Sequence, residues 1–150
     1  MPLINKALAL SRSEARLLMG AFTTLIAMRL ALWLLPFSRT QQIAHAIGQW
    51  RRRGPQDHAA PADVCRAITI ASGFLPGANC LPQALAAQAM LGRRGMVAKL
   101  CLGVGKAGGS LSAHAWLEDA EGQCLIGHAD FSRLSRLAPP VDLTERVGST

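Results

Sequence analysis

Apolar positions along this chain fall into two regimes. Over residues 11–95 they recur at helical spacing or in unbroken runs, and over residues 96–126 they alternate. Ser11 and Glu14 stand at capping-box spacing just ahead of residues 15–35, an apolar stretch whose polar members are Arg16, Thr23, Thr24 and Arg29. Pro36 stops that helix. Ser38 and Gln41 repeat the spacing and open a second helix, which runs through Ile43, Ala46, Ile47 and Trp50 to Arg53. Gly54 and Pro55 end it, and residues 56–60 form a polar linker. Pro61 suits the first turn of a third helix, with Val64, Ala67, Ile68 and Ala71 as its apolar stripe. Residues 73–79 are a loop containing Pro76 and Gly77. A fourth helix covers residues 80–94 and stops at Gly95, a residue suited to a left-handed cap.

The alternating part predicts strands at residues 96–104, 113–118 and 123–126. A Gly-rich turn at 106–110 and a tight turn at 119–122 separate them. The segment after Asp130, with Pro139 and Pro140, carries no clear pattern. Several helices followed by a small antiparallel meander make an α+β arrangement. The chain of 150 residues suits a single domain: a helical part at 1–60, a core at 61–130 and a tail at 131–150.

Composition narrows the function. Half of the residues are hydrophobic, which excludes a disordered chain. A net charge of +7 favours acidic peptides, anionic lipid or nucleic acid as partners. With no Tyr and four Phe, the aromatic platform that single-stranded nucleic acid needs is missing, so nucleic acid is not expected as a partner. Cys65, Cys80, Cys101 and Cys124 show neither paired-cysteine spacing nor the His spacing of a zinc site, so neither metal nor cofactor is expected. The first residues lack a secretory pattern, and four unpatterned thiols suit the cytoplasm. Residues 15–35 are nonetheless long enough to span or touch a membrane. Arg29 argues against spanning, at a cost of roughly 2.5–3.5 kcal/mol in hydrocarbon, and favours a buried helix of a soluble domain.

The candidate chemistry centres on Cys80. It begins the fourth helix, where free amide hydrogens and the helix dipole favour an anionic nucleophile and can hold an oxyanion. Ala84, Ala86, Ala87 and Ala89 let that helix approach a sheet closely. Alternation puts His114, Trp116 and Glu118 on one strand face and Ala113, Ala115 and Leu117 on the other. His114 is the candidate base, and Glu118, Asp119 and Asp130 are candidates to orient it. Hairpin pairing returns the third strand towards His114 and so favours Asp130. A buried structural cysteine and a satisfied core histidine would give the same letters.

The segment Cys80-Leu81-Pro82-Gln83-Ala84-Leu85, ending in Leu91-Gly92-Arg93-Arg94-Gly95, resembles the nucleophile helix of the lasso peptide biosynthesis B proteins in their short form, called B2. So do Lys99-Leu100-Cys101-Leu102-Gly103-Val104 and Ala113-His114-Ala115-Trp116-Leu117-Glu118, and upstream Leu34-Leu35-Pro36-Phe37-Ser38-Arg39. The resemblance implies a transglutaminase- or papain-like core and a cysteine peptidase that removes the leader from a ribosomally made precursor peptide. It maps the nucleophile onto Cys80 and the base onto His114. Relatives carry acidic residues directly after the third strand, where this chain has Gly127 and His128. Asp130 is the nearest match, and His128 is a further candidate. The resemblance also implies three partners: the precursor's leader, a separate small leader-recognition protein for which these 150 residues leave no room, and an ATP-dependent lasso cyclase. Two alternatives stay open, a transglutaminase-like acyltransferase and a membrane-associated structural protein without catalysis.

Overall fold

The computed structural model describes residues 10–50, 59–127 and 134–136. Among the described residues, four helices precede a four-stranded antiparallel sheet. They are α1 (Arg12–Leu34), α2 (Phe37–Trp50), α3 (Pro61–Ser72) and α4 (Cys80–Gly92), followed by β1 (Lys99–Ala107), β2 (Ser110–Glu118), β3 (Cys124–Ile126) and β4 (Leu134–Arg136), in the sheet order β3-β2-β1-β4. The α+β reading of the sequence is borne out.

The capping box at the start of α1 is complete. Ser11 Oγ accepts the Glu14 amide at 3.3 Å, and Glu14 Oε2 accepts the Ser11 amide at 2.8 Å. These bonds hold the Glu14 carboxyl below its usual range. Leu17, Ala21, Thr24, Leu25 and Met28 form the buried stripe of α1, at 3.6-residue spacing. Leu25 and Met28 are fully buried, each contributing roughly 1.5–3 kcal/mol. By length and composition α1 is the one helix among the described residues able to cross a membrane, and this stripe is also part of the domain's core.

The second capping box is a correction. α2 begins at Phe37, one residue before Ser38, and its first turn is closed by the Pro36 carbonyl, which accepts the Arg39 and Thr40 amides at 3.0 and 3.2 Å. The pre-organised ring of Pro36 starts this helix as well as ending the previous one. α2 meets α4 where two glycines face each other. A Cβ on Gly92 would lie 2.9 Å from the Gly48 Cα, so two bare backbones make this crossing. α4 ends as expected around Gly95, whose φ is +76°. The Met96 amide bonds to the Leu91 carbonyl and the Gly95 amide to the Gly92 carbonyl, a Schellman closure.

The strand boundaries also differ from expectation. The first two strands run three residues further towards the turn, because Gly108 and Gly109 alone form it, at φ +59° and +84°. Two successive left-handed residues make a type I′ turn, whose twist matches the strands it joins. In the β1–β2 register Leu100 pairs with Leu117 and Leu102 with Ala115; these join the core against the helices. Cys101 pairs with Trp116 and Gly103 with His114 on the opposite face. β4, which lies in the stretch that carried no clear pattern, pairs with β1 from Gly103 to Gly105.

Candidate active site

Cys80 is the first residue of α4 and is half-buried. The preceding turn bends at Gly77, with φ +76°. Gln83 folds back on that turn: its Nε2 donates to the Ala78 carbonyl at 2.8 Å, while its amide bonds to the Asn79 carbonyl at 3.3 Å. The first turn of the helix is thereby tied to the loop that delivers the thiol. The Asn79 side chain makes no capping bond, and Pro82 has no amide to satisfy. The amides of Cys80 and Leu81 are left without an acceptor among the described residues, as an oxyanion site requires.

His114 lies in the middle of β2, half-buried. Its Nε2 is 2.8 Å from the carbonyl oxygen of Gly127. A carbonyl can only accept, so Nε2 carries the proton and Nδ1 of the neutral ring is the basic nitrogen. Gly127 follows β3, which pairs with β2, so the hairpin brings its carbonyl to the ring. Its φ is +87°, and a Cβ there would sit 2.7 Å from the Ala115 carbonyl oxygen. Glycine is needed at 127 on both counts. Gly103, opposite His114, leaves one side of the ring bare, and Trp116 lies nearly parallel to it with centroids 6.4 Å apart.

The carboxylates near His114 in sequence are engaged elsewhere. Glu118 Oε1 accepts the buried Trp116 Nε1–H at 2.8 Å. Asp119 Oδ1 accepts the Glu121 and Gln123 amides at 3.0 and 2.8 Å and shapes the β2–β3 turn. Asp130 and His128 lie outside the described residues.

Cys80 and His114 both line one open cleft of about 770 Å³. The start of α4, the middle of the β1–β2 hairpin, and Arg29, Leu30, Leu32 and Trp33 of α1 form its walls. Sequence reasoning treated Arg29 only as an obstacle to membrane insertion. The missed signal was its position: it is the sole charge between Arg16 and Arg39. No group of ligating side chains able to hold a metal occurs among the described residues.

The other thiols are less available. Cys65 is buried in α3, and burial first, then the nearby Cys124, push its thiol up to about 11. Burial, and secondarily the Glu118 charge, raise Cys124, whose thiol donates to the Ile126 carbonyl at 3.4 Å. Cys101 is 3% exposed.

A thiol at a helix start and an imidazole on a strand of the sheet thus line one cleft. The chain belongs to the transglutaminase-like superfamily, whose family model matches residues 22–138. The match runs from within α1 through β4, so the cleft-lining end of α1 and the late strand are parts of the family's fold. Comparison with curated proteins and with solved structures finds no match.

Proposed function

We propose that the chain is a cysteine peptidase that removes the leader from a ribosomally made lasso precursor peptide, acting in the cytoplasm beside a leader-recognition protein and an ATP-dependent cyclase. Two supports carry this reading. The superfamily, which includes cysteine peptidases and acyltransferases, supplies the class. The sequence resemblance around Cys80 and His114 supplies the substrate. The single structural observation behind the mechanism is the His114–Gly127 bond, which leaves Nδ1 as base inside the cleft that holds Cys80.

In this mechanism Nδ1 of His114 takes the Cys80 proton and the thiolate attacks the carbonyl at the leader–core junction. The amides of Cys80 and Leu81 hold the oxyanion. The imidazolium gives its proton to the leaving core amine, and water attacks the thioester to release the leader. Asp130 is the proposed carboxylate that stabilises the imidazolium. The exposed face of α1, with Met19, Ile26, Leu30 and Trp33, supports contact with the recognition protein or a lipid surface.

Mass spectrometry of the precursor peptide incubated with the chain tests the reading. Two fragments whose masses sum to the precursor plus one water are expected, with none from Cys80→Ala. An intact precursor in the presence of the recognition protein would overturn it. A fragment bearing an added amine in place of water would identify an acyltransferase.

A further inference from the structure

We propose that Arg29 is a specificity residue that receives a carboxylate of the peptide lying in the cleft. The proposal rests on the peptidase reading and adds a substrate requirement to it.

The guanidinium rests against the turn before Cys80. A Cβ on Gly77 would fall 2.5 Å from Arg29 Nη2 and 3.0 Å from both Cζ and Nε, so the guanidinium packs against the bare Cα of Gly77. Gly77 belongs to the turn that leads into Cys80, and both residues line the cleft with Arg29. The exposed charge therefore rests beside the turn that positions the nucleophile.

Among the described residues it has no acidic partner. Glu14, Asp63, Glu118, Asp119 and Glu121 are the carboxylates among the described residues; none lines this cleft and none is paired with Arg29. α1 buries Met28 on one side of Arg29 and exposes Leu30 and Trp33, 52% and 82% accessible, on the cleft side. A planar cation with no carboxylate partner among the described residues, set between exposed apolar groups in a concave site, matches an acidic group flanked by apolar residues. The carboxylate could come from an Asp or Glu side chain or from a peptide's C-terminus, and the chemistry of recognition is shared.

The experiment measures binding and turnover separately. Short Ala/Leu peptides carry one Glu, its Gln counterpart, or neither, each with a free or an amidated C-terminus. Their affinity for full-length Cys80→Ala is measured by calorimetry, a readout that needs no cleavage. Roughly tenfold or tighter binding of one acidic class is expected, with the position and terminus arms telling side chain from C-terminus. Arg29→Gln, on the Cys80→Ala background, should erase that preference, and Arg29→Lys should restore part of it. In the active chain the same Glu-to-Gln exchange, made in the precursor, should appear in KM rather than in kcat. Equal affinity for all peptides, or a preference that survives Arg29→Gln, overturns the proposal even where Cys80-dependent cleavage stands. A kcat loss in Arg29→Gln that is independent of peptide charge also overturns it, since it would mark a role in oxyanion stabilisation or in the turn.

Discussion

The imidazole of His114 is tied through Nε2 to the main-chain carbonyl of Gly127, at 2.8 Å. The partner is a neutral backbone group delivered by the turn-off of β3, and no side-chain deletion removes it. Its position depends on the left-handed backbone of Gly127 and on the absence of a Cβ there. Gly127→Ala should therefore shift the carbonyl and misplace the ring. Turnover should fall about tenfold to a hundredfold and alkylation of Cys80 should slow, while circular dichroism keeps the helical signal of the parent.

Carboxylates can be ranked against that carbonyl. Glu118→Gln and Asp119→Asn should leave the pH–rate profile in place, because their oxygens serve Trp116 and the β2–β3 turn. Asp130→Asn should lower turnover by about tenfold to a hundredfold, by loss of a charge that stabilises the imidazolium formed in the proposed mechanism. Kinetics of the three variants across pH checks this ordering, and an unaltered Asp130→Asn would leave the Gly127 carbonyl as the sole orienter.

Alkylation discriminates the thiols. Near neutral pH, Cys80 should react first, because Cys65 and Cys101 are buried and Cys124 is held protonated by burial and the Glu118 charge. Timed iodoacetamide labelling with peptide mapping reads the order. Preferential labelling of Cys65 would contradict it.

The buried thiol of Cys65 also predicts an alkaline loss of stability. Its folded value, about 11, lies above the unfolded value of 9.0, so between these pH values the unfolded chain has lost a proton that the folded chain keeps. The slope of stability with pH is negative there, and stability is complete below about pH 9. Thermal melts from pH 8 to 11 should decline less steeply for Cys65→Ala than for the parent (pH range set by the two values).

At the crossing of α2 and α4, Gly92→Ala should destabilise the fold. Alanine is the better helix former by about 1 kcal/mol. The added methyl would meet the Gly48 backbone at 2.9 Å, which only a shift of one helix relieves. Overpacking of this kind costs about 1–3 kcal/mol, so the net effect is a lower melting temperature. Surface glycines such as Gly95, with nothing near the Cβ position, give a control for backbone strain alone.

Periodicity and capping chemistry made most of the fold legible: the complete Ser11–Glu14 box, Pro61 at the first position of α3, the Gly95 closure and the switch to alternation were all present in the letters. The Ser38–Gln41 spacing misled because the same residues fit inside a helix, and Pro36 had already supplied the start. The hairpin was read too short because a Gly-rich run resembles a loop, whereas two adjacent glycines are enough to close a turn. β4 carried no signal, since three residues pairing with β1 need no pattern of their own. At the site, Cys80 and His114 could be named from helix-start and strand chemistry. The Gly127 carbonyl could not, because main-chain acceptors are the same at every residue and only the pairing register selects one. Arg29 was visible as a charge in an apolar helix, but its partner surface at Gly77 exists only once α1 and the turn before Cys80 meet.

The β1–β2 hairpin has a kinetic consequence. Cys80 begins a helix that local contacts can form, whereas His114, its proposed base, lies on a hairpin that must dock against the helices. On the proposed mechanism, a chain with the helix formed and the hairpin undocked has its nucleophile and nothing to activate it. If the peptidase reading holds, a nascent chain in that condition is inert towards neighbouring polypeptides until its own tertiary structure is finished. Catalytic competence and completed folding become one event, and recovery of turnover in a refolding experiment should trail the return of helical signal.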